Sequence, residues 1–223
     1  MARSRSQPGG RRAEAARNDE LILAAARGVF LADPSAPIAD VAKEAGVGIS
    51  ALYRRYPSKE ELLRELARDG LTRYIEDLRI ALADDGDGDG DGDAWRAYAE
   101  CLHRIVDGQS QALAQRVAGT FTPTESLGRL AGEASQLAIA LHDRTQRAGA
   151  LRADVSPADI VLILEMISFV DLPGPDRGRT LRHRYLALAL QALRAPGSEP
   201  LPGAAATEEA LTARWRRPLG KKR

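Results

Sequence analysis

The sequence predicts an all-α fold, and three observations support that prediction. Hydrophobic residues make up 44% of the 223 residues, enough to bury a substantial core. Only 4% of the residues are aromatic, so Leu, Ala, Val and Ile must build that core, and Ala and Leu are strong helix formers. Runs of β-branched residues are scarce, and apolar residues recur at helical spacing along the chain. We therefore expect about nine helices.

Charge and cysteine content narrow the class of protein. The net charge is +1, but residues 1–59 hold ten Arg or Lys and six Asp or Glu, a local excess of four positive charges. The single cysteine, Cys101, excludes an intramolecular disulfide, which is typical of a reducing cytoplasm. There is no apolar run of the ~20 residues that cross a membrane, and no apolar segment behind the basic N-terminus to form a secretory signal. We expect a cytoplasmic bacterial protein without a membrane partner.

The N-terminal region divides into an arm and a first helix. Residues 1–16 are polar and basic and contain Gly and Pro, which predicts a disordered basic arm. From Asn18 to Ala32 the apolar residues form one helical stripe. Asn18 is the expected N-cap of this helix, followed by two acidic residues in its first turn.

Residues 37–56 have the pattern of a helix-turn-helix. Apolar residues at helical spacing lead to Gly46, a residue type that commonly ends a helix with a positive φ. A second helical phase then runs from Ile49 to Tyr56. Two short helices joined in this way form a helix-turn-helix, whose second helix can lie in the major groove of DNA. The bare pattern is equally typical of an ordinary helical corner.

The stretch GVGISALYRRYPSKEELL, which begins at Gly46, resembles the recognition-helix signature of the tetracycline-repressor (TetR) family. That signature has an alanine-glycine-valine turn, a leucine-tyrosine pair, two basic or histidine positions, an aromatic residue, a lysine and a leucine. Here these residues are Ala45, Gly46, Val47, Leu52, Tyr53, Arg54, Arg55, Tyr56, Lys59 and Leu62. The resemblance is specific over Asn18 to Leu66 and weaker across the rest of the chain.

The resemblance implies two domains. A helix-turn-helix DNA-binding domain would occupy residues 17–78, with Phe30 anchoring the first helix that braces it. A ligand-binding and dimerisation domain would occupy residues 79–195. Members of the family usually have Thr or Ser where Pro37 stands here, so one phosphate contact should be missing.

The resemblance also implies which residues meet DNA. The variable positions of the recognition helix are small or apolar here, so we expect readout by Ser50 and by apolar contacts with thymine methyl groups. Tyr53 and Lys59 are implied phosphate contacts. Arg54 and Arg55 cluster with Lys59 at the end of the second helix, where they could also pair with phosphates. The predicted DNA contacts are Lys43, Gly48, Ile49, Ser50, Ala51, Tyr53, Arg54 and Lys59.

Past the helix-turn-helix, the chain alternates helices and connections. Ser58 and Glu61 form a capping box that begins a long helix. Residues 84–93, a run of Asp and Gly, predict a flexible acidic loop. No register of this run supplies both the Gly and the Glu of an EF-hand, so it does not predict a calcium site. Further helices are predicted over 94–106, 110–119 and 122–147, the last with Thr122 as its N-cap.

Two late helices carry much apolar surface. Ser156 to Asp159 cap the first, which is apolar nearly all round as far as Val170. The second is predicted over 177–194, and residues 196–223 predict a disordered basic tail. The two helices fit either a four-helix dimer interface or closure of the core of one chain. The expected interface residues are Ile160, Ile163, Leu164, Ile167, Leu181, Tyr185 and Leu188.

No motif locates a ligand pocket, so its residues are inferred only from the helices of the second domain. We expect a largely apolar pocket with few polar anchors, which favours a hydrophobic effector. The candidates are Tyr74, Leu78, Tyr98, Leu102, His103, Phe121, Leu141, His142, Met166 and Phe169.

The sequence does not predict a catalytic site, a metal site or a cofactor. Residues 108–112 contain half of a nucleophile elbow, without its second glycine or a preceding strand. The three histidines, His103, His142 and His183, lack metal-ligand spacing.

These observations lead to one functional hypothesis and its alternatives. We expect a homodimeric repressor that a small hydrophobic effector releases from a palindromic operator in double-stranded DNA. One alternative is an activator or a repressor without a ligand. Another is a helical ligand-binding module whose N-terminal domain lacks sequence-specific DNA binding.

Overall fold

The computed structural model confirms the all-α fold. It describes residues 8–84, 91–109, 113, 120–170, 176–196, 199–207 and 209–211. Within these residues there is no strand, only an isolated antiparallel bridge between Leu151 and Arg194. The eight helices of the described residues are α1 (Pro8–Ala32), α2 (Ile38–Glu44), α3 (Ile49–Arg55), α4 (Lys59–Ala83), α5 (Asp91–Gly108), α6 (Glu125–Arg147), α7 (Pro157–Ser168) and α8 (Arg177–Leu193).

Helix α1 starts earlier than predicted. It begins at Pro8 rather than Asn18, so the prediction of a disordered arm is wrong for residues 8–16 and Asn18 cannot be the N-cap. The segment 11–17 reads RRAEAAR, and Arg, Ala and Glu are all good helix formers, which extends the helix backwards. Residues 1–7 of the predicted arm lie outside the described part of the chain.

Two other helix starts also differ from the prediction. Helix α5 begins at Asp91, so residues 91–93 are helical and do not belong to the acidic loop predicted for 84–93. Residues 85–90 of that loop lie outside the described residues. Helix α6 is capped by Thr124 instead of Thr122, because the Thr124 hydroxyl accepts a hydrogen bond from the Leu127 N–H at 3.3 Å. Of the helix predicted over 110–119, only Leu113 is described, and it is buried.

The chain divides into two compact units, which we call the head (Met1–Leu66) and the body (Ala67–Arg223). This boundary falls before the predicted one at residue 78. The head contains α1 to α3 and the start of α4, around a core that includes the fully buried Phe30, Val41 and Leu52. The expected anchoring role of Phe30 is therefore consistent with its burial.

The core of the body is built from α4 to α8. Its buried residues include Leu78, Tyr98, Leu141 and Leu186. The Arg144 guanidinium donates hydrogen bonds to carbonyls of the last turn of α4, those of Ala81 at 2.7 Å and Leu82 at 3.0 Å. These bonds occupy carbonyls that a helix end leaves without intrahelical donors.

Part of the predicted disordered tail is bound to the body. The Ala206 N–H donates to Asp159 Oδ1 at 3.0 Å, and the Leu201 N–H donates to Asp154 Oδ2 at 3.0 Å. The prediction of disorder over 196–223 is therefore wrong for residues 199–207, whereas residues 212–223 lie outside the described part. No helix among the described residues is long and apolar enough to cross a membrane.

Candidate nucleic-acid interface

The corner between α2 and α3 has the geometry that the sequence predicts. Helix α2 buries Ile38, Val41 and Ala42 against the rest of the head. Gly46 follows with a φ of +67°, a conformation that side chains rarely adopt, and the Val47 N–H donates to the Ala42 carbonyl at 3.0 Å. The helix-turn-helix between residues 37 and 56 thus has a glycine at its turn for a steric reason.

Helix α3 presents most of its side chains outward. Its only buried residue is Leu52, and all seven positions of the helix are described. Ile49, Ser50, Tyr53 and Arg54 are exposed, Ala51 is half-buried, and Gly48 is the N-cap. Exposed positions 49, 50, 53 and 54 recur at helical spacing, so they share one face. Exposed Lys43 belongs to the neighbouring helix α2.

Arg55 does not share the role expected for Arg54. Its Nε and Nη2 atoms each donate to a carboxylate oxygen of Asp19 in α1, both at 2.7 Å. Its guanidinium also lies 5.5 Å from the centre of the Tyr56 ring. Both Arg54 and Arg55 are exposed, but the Arg55 guanidinium is engaged by Asp19 within the head.

Lys59 also has an intramolecular role that the sequence did not predict. Its ammonium donates to the backbone carbonyls of Pro34 at 2.9 Å and Ala36 at 2.7 Å. It lies 4.9 Å from the centre of the Phe30 ring, within reach of a cation–π interaction. Two of its three N–H donors therefore hold the connection between α1 and α2.

The predicted cap of α4 is present in part. The Glu61 N–H donates to the Ser58 hydroxyl at 3.1 Å, as a capping residue requires. The Glu61 carboxylate accepts a hydrogen bond from Arg64 at 2.6 Å. Ser58 thus starts α4, and the Glu61 carboxylate pairs further along the same helix.

Comparison with known proteins finds relatives of this geometry. Residues 22–66, which contain the helix-turn-helix, match the bacterial regulatory proteins of the tetR family. Over these residues the head of the chain is similar to that family. Its sequence is 46% identical over 52 residues to the HTH-type transcriptional repressor LfrR of Mycolicibacterium smegmatis, a stretch that spans 23% of this chain and 28% of that repressor.

Solved TetR structures extend the likeness of fold to the body. A TetR transcription regulatory protein from Mycobacterium vanbaalenii is 26% identical, with a TM-score of 0.52 over 82% of this chain and 99% of that chain. LfrR from Mycobacterium smegmatis, in complex with proflavine, is 22% identical, with a TM-score of 0.55 over 84% of this chain and 99% of that chain. These likenesses support the fold of both units.

In the body, the predicted pocket residues do not share one degree of burial. Five of the ten are buried, and Tyr74, His103 and Phe121 are half-buried. Met166 and Phe169 are 65% and 57% exposed, so these two side chains are not enclosed in the core of the single chain. The fully or largely buried members are Leu78, Tyr98, Leu102, Leu141 and His142.

The cavity found in the body has a different lining from the one predicted. Its volume is about 10 Å³, roughly the space of one water molecule and far below that of a small-molecule pocket. None of the predicted pocket residues lines it. Its walls are formed by Ile105, Val106, Gln109, Leu164, Ile167, Ser168 and Arg182.

The expected dimer residues separate into two sets. Ile160, Leu164 and Ile167 are buried within the body of the single chain, where they pack in its own core. Ile163 and Leu181 are half-buried. The exposed members are Tyr185 at 47% and Leu188 at 52%. An almost wholly apolar helix such as α7 does not reveal by its spacing which face meets its own core.

A polar chain in the body was not predicted. His103 Nδ1 lies 2.8 Å from His183 Nδ1, and His183 Nε2 lies 2.8 Å from Asp107 Oδ1, which also accepts a hydrogen bond from Arg179. The hydrogen bond from Arg179 is the main cause that lowers the pKa of Asp107 to about 2. Burial is the main cause that lowers the pKa of His103.

No sequence signal could have found this chain of side chains, since it joins α5 to α8 across 80 positions. Among the described residues, no group of three or more His, Cys, Asp or Glu side chains is arranged to hold a metal ion.

Proposed function

We propose that this protein is a TetR-family transcriptional repressor that binds a palindromic operator as a homodimer. The exposed face of α3, held on a helix-turn-helix, is the observation that carries the proposal. In such a motif the second helix enters the major groove, and its side chains meet base edges and phosphates.

The residue types on α3 favour a specific division of contacts. Ser50 can donate to or accept from a base, and Ile49 can contact a thymine methyl group. Tyr53 and Arg54 can donate to phosphates, and Lys43 on α2 adds a positive charge beside them. Lys59 should contribute less than its charge suggests, because two of its N–H donors already bind carbonyls.

The dimer should use the apolar surface that the body leaves exposed. Met166 on α7, Phe169 at the C-cap of α7, and Tyr185 and Leu188 on α8 are all at least 47% exposed. Large apolar side chains grouped at a surface are typical of a protein interface. Two α7–α8 pairs would form a four-helix bundle, and the dimer would present two recognition helices about 34 Å apart, one turn of DNA.

We also propose that a small hydrophobic effector binds the body and lowers operator affinity. LfrR, a relative with the same fold, was crystallised with proflavine. The effector must bind the DNA-competent and DNA-incompetent states with different affinities, and moving the population from 1:99 to 99:1 needs roughly 10⁴-fold preference.

A DNA titration tests the proposal. Purified protein is added to the DNA upstream of its own gene, with random duplex as competitor, at about 0.15 M salt, where non-specific contacts are weakened but specific ones persist. We expect protection of a palindrome. If this DNA and duplexes selected from a random library bind no better than random duplex, the protein is a ligand-binding module without a sequence-specific head.

A further inference from the structure

We propose that the ion pair between Asp19 of α1 and Arg55 of α3 fixes the orientation of the recognition helix and so gives operator binding its sequence specificity. This inference rests on the proposed DNA-binding function. It assigns a positioning role to an acidic residue that is not among the predicted DNA contacts and whose charge repels phosphates.

The pair has the geometry of a clamp. Arg55 Nε donates to one carboxylate oxygen of Asp19 and Nη2 donates to the other, each at 2.7 Å. Two parallel hydrogen bonds fix the plane of the guanidinium as well as its position, which a single ionic contact does not do. The guanidinium also lies over the ring of Tyr56, a residue that is buried in the head.

Helix α3 depends on such a constraint because it buries little surface of its own. It has seven residues, and Leu52 is the only one of them that is buried. A single buried side chain sets the distance of a helix from its support but leaves its rotation about that point weakly determined. The clamp ties the C-terminal end of α3 to α1, at residues 36 positions apart in sequence.

The orientation of α3 decides whether base contacts form. A binding arrangement must be held within about 0.5 Å of its productive geometry, and the short side chains of Ser50 and Ala51 cannot reach further to compensate for a rotation. Phosphate contacts from long, flexible side chains such as Arg54 tolerate a larger displacement. Loss of the clamp should therefore reduce binding to the operator more than binding to arbitrary DNA.

The clamp should matter more for orientation than for stability. The Arg55 side chain is 59% exposed and that of Asp19 is 25% exposed, and ion pairs with this degree of exposure contribute little to folding. Removing the pair should therefore leave a folded head in which the recognition helix is less well positioned.

The test compares Asp19→Asn with the wild-type protein on two DNA probes at the same salt concentration. One probe is a duplex that the wild-type protein selects from a random library, and the other is a random-sequence duplex. Simple electrostatics predicts that losing a negative charge and releasing Arg55 tightens binding to both probes. The clamp predicts weaker binding to the selected duplex, unchanged or tighter binding to the random duplex, and a specificity ratio reduced about tenfold, comparable to the loss of one base contact.

Glu20→Gln is the matched control, because Glu20 is the next residue of α1, is exposed, and loses the same charge. It should leave the specificity ratio unchanged. Arg55→Lys keeps the charge pair but lacks the two parallel N–H donors of the guanidinium. It should therefore also lower the specificity ratio, while leaving the helical content unchanged. This second variant keeps the test valid if Asp19→Asn does not fold.

An unchanged ratio in Asp19→Asn, or in Arg55→Lys where the first does not fold, overturns the positioning role. A wild-type protein that selects no duplex from the library rejects the proposed function itself, which is a different and recognisable result.

Discussion

The head and the body of this protein place their functional candidates differently. In the head, most of the residues expected to meet DNA are exposed, and several lie on a short helix that buries only Leu52. In the body, half of the residues expected to meet a ligand are buried in the core, as Leu102 and Leu141 are. A DNA-reading surface can therefore be recognised before its ligand is present, whereas a pocket-forming residue cannot be distinguished from an ordinary core residue.

The largest expected effect comes from removing the buried contact of the recognition helix. Leu52→Ala should cost about 2–5 kcal/mol, because it deletes a fully buried side chain from a small core. We expect faster amide exchange in α2 and α3 and loss of operator binding, measured by hydrogen exchange and DNA titration.

Leu186→Ala is the body counterpart, since Leu186 is also fully buried. Its effect on amide exchange should be confined to the body. Equal acceleration of exchange in both units by either variant would show that the head and the body do not unfold separately.

The next effect concerns the exposed apolar surface of the body. Tyr185→Glu should raise the dimer dissociation constant about 30-fold or more, since burying an unpaired carboxylate at an interface is costly. Sedimentation velocity measures the change. Ile139→Glu, at a 36% exposed position of α6, is the control and should not alter assembly. A wild-type protein that stays monomeric at all concentrations would contradict the proposed interface.

A smaller effect separates the two lysines of the head. Lys59→Ala should lower the free energy of unfolding by about 1.5 kcal/mol, because two hydrogen bonds from its ammonium to carbonyls are lost. Lys43→Ala, at an exposed position, should leave stability unchanged and reduce the salt slope of DNA binding by about one unit. Urea unfolding and salt titrations give both quantities. The intramolecular role of Lys59 is wrong if its variant behaves as Lys43→Ala should.

The smallest effect is a pH dependence that arises in the body. Burial is the main cause that lowers the pKa of His142 from its ordinary value of 6.5, and the imidazole is almost completely buried. Below about pH 6.5 the unfolded chain binds a proton at His142 that the buried imidazole of the folded chain does not bind. The free energy of unfolding should therefore be highest above about pH 6.5 and decrease as the pH falls. Urea unfolding of the wild type and His142→Gln from pH 8 to pH 5 measures it, and the variant should show a weaker dependence. Identical pH profiles would assign the effect to other groups, such as His103.

Features set by neighbouring residues could be predicted from the sequence. The positive φ of Gly46 and the capping box of Ser156 and Asp159 were both expected, and both are present. A cap or a turn depends on side chains within three or four positions, which a pattern can display. Even so, the N-cap of α6 is Thr124 and not the predicted Thr122, because two nearby threonines fit the same pattern.

Features that depend on chain folding could not be predicted. Nothing in the spacing of Asp19 and Arg55, or of His103 and His183, shows that they meet. The burial of Ile160 in the chain's own core was missed for a similar reason, since an apolar residue has the same pattern at a core and at an interface. Long-range pairs are fixed by how helices pack, which short sequence motifs do not record.

The bound segment after α8 determines where the chain can be shortened. Besides its bonds to Asp154 and Asp159, the segment is held by the Ser156 hydroxyl, which donates to the Ala206 carbonyl at 2.8 Å. A truncation at the end of α8 would remove these partners from the residues that begin α7. For expression, crystallisation or fusion to a reporter, the C-terminal boundary of the body therefore belongs after Ala206, and a tag placed directly behind Leu193 would take the position of residues that complete the fold.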